Sequence, residues 1–211
     1  MLEDIRRRLG AAAEDDERRG RALARMSDHP SNTIPGRARL SGDARIDEFV
    51  EMLQRVQGTV ARVDDMAAVP RAVEAYLGAG AVCLTQEVIE MGLSWQDTGL
   101  HLVPWQAKTS FDVCVTACMA AAAETGTLVV RSSALTPLTQ HFLGETHIAI
   151  LKLSQLHGAY EDVWPMVRDA MPRHLTFVSG PSCTGDIEMV MEYGAHGPRR
   201  LHVILVEENG G

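Results

Sequence analysis

A glutamate followed by two threonines that flank a glycine, Glu124-Thr125-Gly126-Thr127, is the first stretch whose residue types could do chemistry. Glu124 follows the alanines 120–123, so apolar surroundings would penalise its carboxylate form and suit it to general acid/base or nucleophilic work. Gly126 permits a tight turn or a positive φ, with a threonine hydroxyl on either side. An ordinary turn carrying a solvated glutamate has the same spacing, and both readings stand.

The second stretch is Ser179-Gly180-Pro181-Ser182-Cys183-Thr184-Gly185-Asp186, expected to join a strand to a helix. Small residues let backbone N–H groups approach a ligand, and a helix start attracts anions. Neither GxGxxG nor GxxxxGK[ST] is present, so this is not a standard nucleotide loop. Ligands of open α/β sheets gather at the carboxyl ends of strands, where this loop is expected. A plain helix N-terminus capped by Ser182 or Thr184, with Asp186 complementing the dipole, fits equally. A helix terminus stabilises an anion by roughly 0.3–2 kcal/mol, whereas micromolar affinity needs about 8 kcal/mol. Any real site must therefore recruit other segments, Glu124 to Thr127 first among them.

The third stretch, Tyr193-Gly194-Ala195-His196-Gly197-Pro198, holds a histidine among glycines just before the last expected strand. His196 in such a loop can donate, accept or carry a proton; a turn defined by glycine and proline alone is the plainer reading. The candidate ligand-binding residues are thus Thr125, Gly126, Thr127, Ser179, Gly180, Pro181, Ser182, Thr184, Asp186, His196 and Gly197, with Glu124 as candidate catalytic group. The other histidines form no HExxH pattern, and no metal is assigned. Cys83, Cys114, Cys118 and Cys183 include no CxxC pair, too few spaced ligands for a ferredoxin-type cluster or a zinc finger. They are read as free thiols, with packing the expected role of Cys114 and Cys118.

The elements that must position these stretches alternate. A weakly amphipathic helix is expected over 2–26, and Pro30, Pro35, Gly36 and Gly42 mark a linker, so residues 1–42 are read as a helical arm and 43–211 as an α/β domain. Helices are expected over 43–57, from Asp64 or Asp65 to Leu77, and over 117–123, 136–143, 158–170 and 184–193. Strands are expected at 59–63, 81–84, 100–103, 112–116, 127–130, 147–151, 174–179 and 201–206. Alternation predicts a layered α/β fold, and near-continuous apolar strands such as Val203-Ile204-Leu205-Val206 predict a mainly parallel sheet covered on both faces.

Composition narrows the function. Twenty basic residues against 28 acidic give a net charge of −8, which disfavours a nucleic-acid surface. The only lysines, Lys108 and Lys152, lie in no Walker-type loop. The arginines of the first 25 residues are nearly cancelled by acids, unlike a transit peptide, and no apolar run approaches a membrane span. A cytoplasmic protein is the expectation.

Taken in order, Ala123-Glu124-Thr125-Gly126-Thr127-Leu128-Val129-Val130, Thr146-His147-Ile148-Ala149-Ile150, Ser179-Gly180-Pro181-Ser182 with Thr184, Asp186, Ile187 and Glu188, Tyr193 to Pro198, and Leu201 to Val206 resemble the LUD-domain family, within it the lactate utilization protein C group. The match is densest over about 110–208. Two positions depart from the pattern: Met119 stands where many relatives carry an acid, and Cys183 where a basic or polar residue is usual. The resemblance implies a three-layer α/β/α sandwich akin to sugar-phosphate isomerases and CoA transferases. It also implies an accessory subunit of a system oxidising L-lactate to pyruvate, with no cofactor in this chain, iron–sulfur clusters on partner subunits, and a small organic anion as ligand. A small-metabolite isomerase or acyl/CoA transferase using Glu124 is the enzyme alternative, and a purely structural assembly factor a third.

Overall fold

The computed structural model describes residues 2–8, 16–28, 33–105, 111–185 and 191–208. They fall into two compact units, Met1–Ile34 and Pro35–Gly211. The first holds α1 (Leu2–Arg8) and α2 (Asp16–Asp28). No residue of α2 is buried, and Leu23 and Met26 lie in the open.

The second unit begins with a 3-10 turn at Gly36–Arg39, whose Ala38 is buried. Its helices are α3 (Gly42–Arg55), α4 (Val69–Leu77), α5 (Gln86–Glu90) and the single turn α6 (Trp164–Val167). Its strands are β1 (Thr59–Val63), β2 (Gly80–Leu84), β3 (Leu100–Val103), β4 (Phe111–Ala117), β5 (Ala120–Ala122), β6 (Thr127–Arg131), β7 (Gly144–Lys152), β8 (Leu156–His157), β9 (Leu175–Val178), β10 (Cys183–Thr184), β11 (Glu192–Tyr193) and β12 (Arg200–Val206). Local chemistry sets several ends. Asp65 accepts from Ala68 N at 3.0 Å and Thr85 Oγ1 from Val88 N at 3.3 Å, each capping a helical start. Pro70 sits in the first turn of α4, where its missing N–H costs nothing, and Gly78 closes that helix at φ +79°.

Six strands form one parallel sheet in the order β1-β12-β7-β4-β2-β3. Alternate side chains feed two cores. Val82, Val115, Ile148, Ile150 and Ile204 pack on Val69 and Val73 of α4 and Val88 of α5. On the opposite face Ala149, Leu151, Leu201, Val203 and Leu205 meet Ile46, Phe49 and Leu53 of α3. Complete burial of Phe49 and Leu53 contributes about 1.5–3 kcal/mol each. The parallel sheet thus lies between helices on both faces, as the alternation predicts.

A second sheet, β8-β5-β6-β9, shares the α3 face through Ala121, Leu128 and Val130. The sequence reading is corrected at four places. Residues 117–123 form no helix: Ala120 and Ala121 face different cores and are fully buried, and a seven-residue alanine-rich segment gains less from helix propensity than from filling a narrow space between sheets. Residues 136–143 form only a 3-10 turn at Leu138–His141 behind Pro137. Residues 158–170 break into a 3-10 turn at Tyr160–Asp162 and α6. The helix expected over 184–193 is replaced at both ends by the antiparallel pair β10–β11, with Cys183 opposite Tyr193 and Thr184 opposite Glu192; residues 186–190, Asp186 included, lie outside the described residues. Among the described residues no helix is long and apolar enough to cross a membrane.

Candidate functional site

The Glu124 turn is built by packing. Ala123–Thr125 form one 3-10 turn that ends on Gly126 in the left-handed region at φ +62°. A Cβ on Gly126 would lie 2.4 Å from Leu53 N and 2.8 Å from Met52 C, so glycine lets the turn rest directly on the backbone of α3. Glu124 is buried, and its Oε1 accepts from Tyr160 N at 3.1 Å while its own N–H donates to Gly158 O at 3.1 Å. The side chain clamps the 158–160 segment to the turn. Replacing Glu124 by alanine should lower stability by about 1–3 kcal/mol, and Glu124→Gln, which keeps an acceptor, by much less. Equal urea denaturation midpoints for the two variants would show that the clamp does not exist.

Beside it stands a hub of hydroxyls. Thr127 Oγ1 lies 2.8 Å from Thr125 Oγ1, 2.7 Å from the Tyr160 hydroxyl and 2.6 Å from Ser179 Oγ. Thr127 thereby joins the first candidate stretch to the second. The second and third stretches also meet. Ser182 N donates to Pro198 O at 2.8 Å, Gly194 N to Ser182 O at 2.9 Å, and His196 N to Ser182 Oγ at 3.3 Å. Of the candidate residues, Ser179, Gly180, Pro181, Ser182, His196 and Gly197 line one cavity of about 250 Å3. Glu124, Thr125, Gly126, Thr127 and Thr184 do not line it. Cys183 and Thr184 form β10 rather than a first helical turn, so Ser182 caps no helix there, and residues 186–190, which Thr184 was expected to cap, lie outside the described residues.

The position of the cavity differs from the expectation too. The loop after β9 follows a carboxyl end, but β9 belongs to the second sheet. The cavity lies between Thr176–Val178 of β9 and the amino-terminal parts of β7 and β12, represented by His147 and Leu201.

Two lining residues that matter most were not among the candidates: His141 and His147. Both are 1% exposed. Their rings meet edge to face with centroids 5.4 Å apart. His147 Nε2 is 2.8 Å from Thr116 Oγ1, whereas neither ring nitrogen of His141 has a hydrogen-bond partner among the described residues. Burial pushes His141 down to about 4. Burial, and secondarily the neighbouring ring, pushes His147 down to about 3. Both rings are therefore neutral at pH 7. Among the described residues no lysine, arginine, aspartate or glutamate lines it, and Phe142, Phe177 and Leu201 supply apolar wall. Histidine inside an apolar strand is ordinarily a packed core residue, so spacing alone could not find His147. His141 was hidden by the helix expected across it.

Against known proteins, residues 105–206 match the LUD domain family. An uncharacterized protein of Neisseria meningitidis serogroup B is 31% identical over 107 residues, 48% of this chain and 46% of the relative. The lactate utilization protein C of Deinococcus radiodurans is 36% identical over 107 residues, 45% of this chain and 46% of the relative. That of Bacillus licheniformis is 28% identical over 157 residues, 64% of this chain and 65% of the relative. The match spans about half the length of the first two. The crystal structure of a DUF162 family protein from Deinococcus radiodurans superposes with a TM-score of 0.60 over 79% of this chain and 99% of that chain, at 20% identity. That likeness shows the fold, a mixed α/β architecture around a parallel sheet.

Proposed function

Because residues 105–206 of this chain carry a LUD domain, we propose that it acts in lactate utilisation, as an accessory subunit of a system that oxidises L-lactate to pyruvate. The names of its relatives support the pathway. Its own cysteines, without a CxxC pair, support placing the iron–sulfur clusters and the electron transfer on partner subunits in the cytoplasm. Its share is to bind a small organic anion.

The observation that carries the ligand class is the lining of the histidine cavity. Its roughly 250 Å3 holds about eight water-sized groups, at about 30 Å3 each. That suits a short hydroxy or oxo acid. The alternative, an isomerase or acyl/CoA transferase with Glu124 as nucleophile or base, has less support, since that carboxylate holds Tyr160 N and is not part of the cavity wall.

Deleting the gene should abolish growth on L-lactate while growth on pyruvate continues, and the tagged chain should retain cysteine-rich iron–sulfur proteins from lactate-grown cells. Unchanged growth of the deletion strain on L-lactate would end this reading.

A further inference from the structure

Strand β9 stands last in its sheet, with β6 on one side and, among the described residues, no strand on the other. The phase of the ladder decides which groups face outward. His174 O accepts from Ser132 N at 3.0 Å, and an antiparallel ladder repeats such bonded pairs at every second residue. Thr176 and Val178 therefore bond to β6, while the N–H and C=O of Leu175 and Phe177 point away from it. Edge strands are usually blunted by a charge, a proline or a bulge, and Leu175-Thr176-Phe177-Val178 has neither charge nor proline.

That edge opens on a space shaped for a strand. Val178 packs on the α3 core, and Phe177 packs on the opposite face against Ala120, Val129 and Val163. Yet Thr176, Phe177 and Val178 all line the cavity of about 250 Å3. Consecutive residues with side chains on opposite faces can border one cavity only along the edge of their strand. A second cavity of about 530 Å3 continues the first. Arg173 and His174 follow Thr176–Val178 in one wall, and Pro137–Thr139 follow His141 and Phe142 in the other. From Arg173 to Ser179 the groove runs roughly 20 Å, at about 3.3 Å per residue. A groove with a wall on its far side admits a single extended chain, whereas the sheet edge of a second copy needs an open flank.

Charge sets one end of the groove apart. Arg173 and, beside Leu175 in the register, Arg131 are both exposed at the amino end of β9, next to His174. Ser179 to Ser182, past the carboxyl end, carry hydroxyls and no charge.

We propose that the free edge of β9 is a docking groove for an extended segment of a partner protein. The segment adds a strand to the second sheet, with apolar residues over the cavity and an acidic residue at the Arg131–Arg173 end. Backbone hydrogen bonds to Leu175 and Phe177 fix its register, and the two arginines fix its direction. The segment and the small acid of the preceding reading share the Thr176–Ser179 wall, so each excludes the other. The groove does not rest on that reading.

The test uses the full chain and two short labelled peptides of alternating valine and threonine. One carries a pair of glutamates at its amino end and the other at its carboxyl end, so that both strand directions are offered. By fluorescence anisotropy at least one should bind. Its counterpart with lysines in place of the glutamates should bind about three- to tenfold more weakly, the range of one or two exposed ion pairs. Arg173→Glu, a change at an exposed position, should reverse that preference. In hydrogen exchange read by NMR, the Leu175 and Phe177 amides of the free chain should exchange faster than those of Thr176 and Val178, and should become protected when the peptide is added. The proposal is overturned if neither peptide binds, if Leu175 and Phe177 stay unprotected in the complex, or if Arg173→Glu leaves the charge preference as it was. Protection of these two amides in the free chain also overturns it: protection that fades on dilution assigns the edge to a second copy, and protection that persists assigns it to the chain itself. L-lactate is absent throughout, so none of these results touches the growth experiment, and a failure there leaves the groove standing.

Discussion

Acidification from pH 7 to pH 5 is expected to strip several kcal/mol from the folding stability of this chain. His141, His147 and His202 are each at most 4% exposed. Burial drives them down to about 4, about 3 and about 4 respectively. An unfolded histidine titrates near 6.5. Between those values the unfolded chain binds more protons than the native one, so stability is full above about pH 6.5 and falls as pH drops toward the native values. At pH 5 each ring accounts for about 2 kcal/mol, and the sum is comparable with the whole stability of an ordinary domain. Urea denaturation at pH 7, 6 and 5 reads this directly. Replacing His202, which stacks on Tyr76 with ring centroids 3.9 Å apart, by phenylalanine should reduce the slope by about a third, since one of three such rings is removed. Stability that is flat from pH 7 to 5 would mean that these rings do not fold as buried neutral groups.

The second large effect concerns two glycines that act as contact surfaces. Gly158 would place a Cβ 1.9 Å from Ala38 O, and Gly126 would place one 2.4 Å from Leu53 N with its backbone held at φ +62°. In both cases the obstacle is backbone, which cannot swing aside as a side chain does. Gly126→Ala combines left-handed strain with overpacking, about 2–5 kcal/mol in all, and Gly158→Ala should cost a similar amount from the clash alone. Gly36→Ala, with nothing within 4 Å, should lie within about 0.5 kcal/mol of the parent. If Gly126→Ala melts with the parent, the turn does not sit on α3 as described.

The central sheet was legible because its strands run apolar almost without interruption, as in Leu201 to Val206, and such runs have few other interpretations. β5 was not, because three alanines carry no strand preference of their own and are placed by what surrounds them. β8 spans two residues, too few for any period to show. The loops at 179–182 and 196–197 announce themselves by glycine, proline and serine, and they do meet. Which sheet they serve depends on strand order, and strand order depends on contacts distant in the chain. Thr127 was named for its hydroxyl beside Gly126, yet its link to Ser179 spans 52 positions. His141 lacked any signal, because an imidazole becomes noticeable only when its surroundings fail to satisfy it.

The cluster centred on Thr127 has one more property. Its hydroxyl owns a single hydrogen and two lone pairs, and it faces three oxygens, those of Thr125, Tyr160 and Ser179. When that hydrogen points at Thr125 or Tyr160, Ser179 spends its own on Thr127 and shows the cavity only lone pairs. When it points at Ser179, the Ser179 hydrogen is released toward the interior. The wall can thus turn from acceptor to donor by rotating hydroxyls, with no heavy atom displaced.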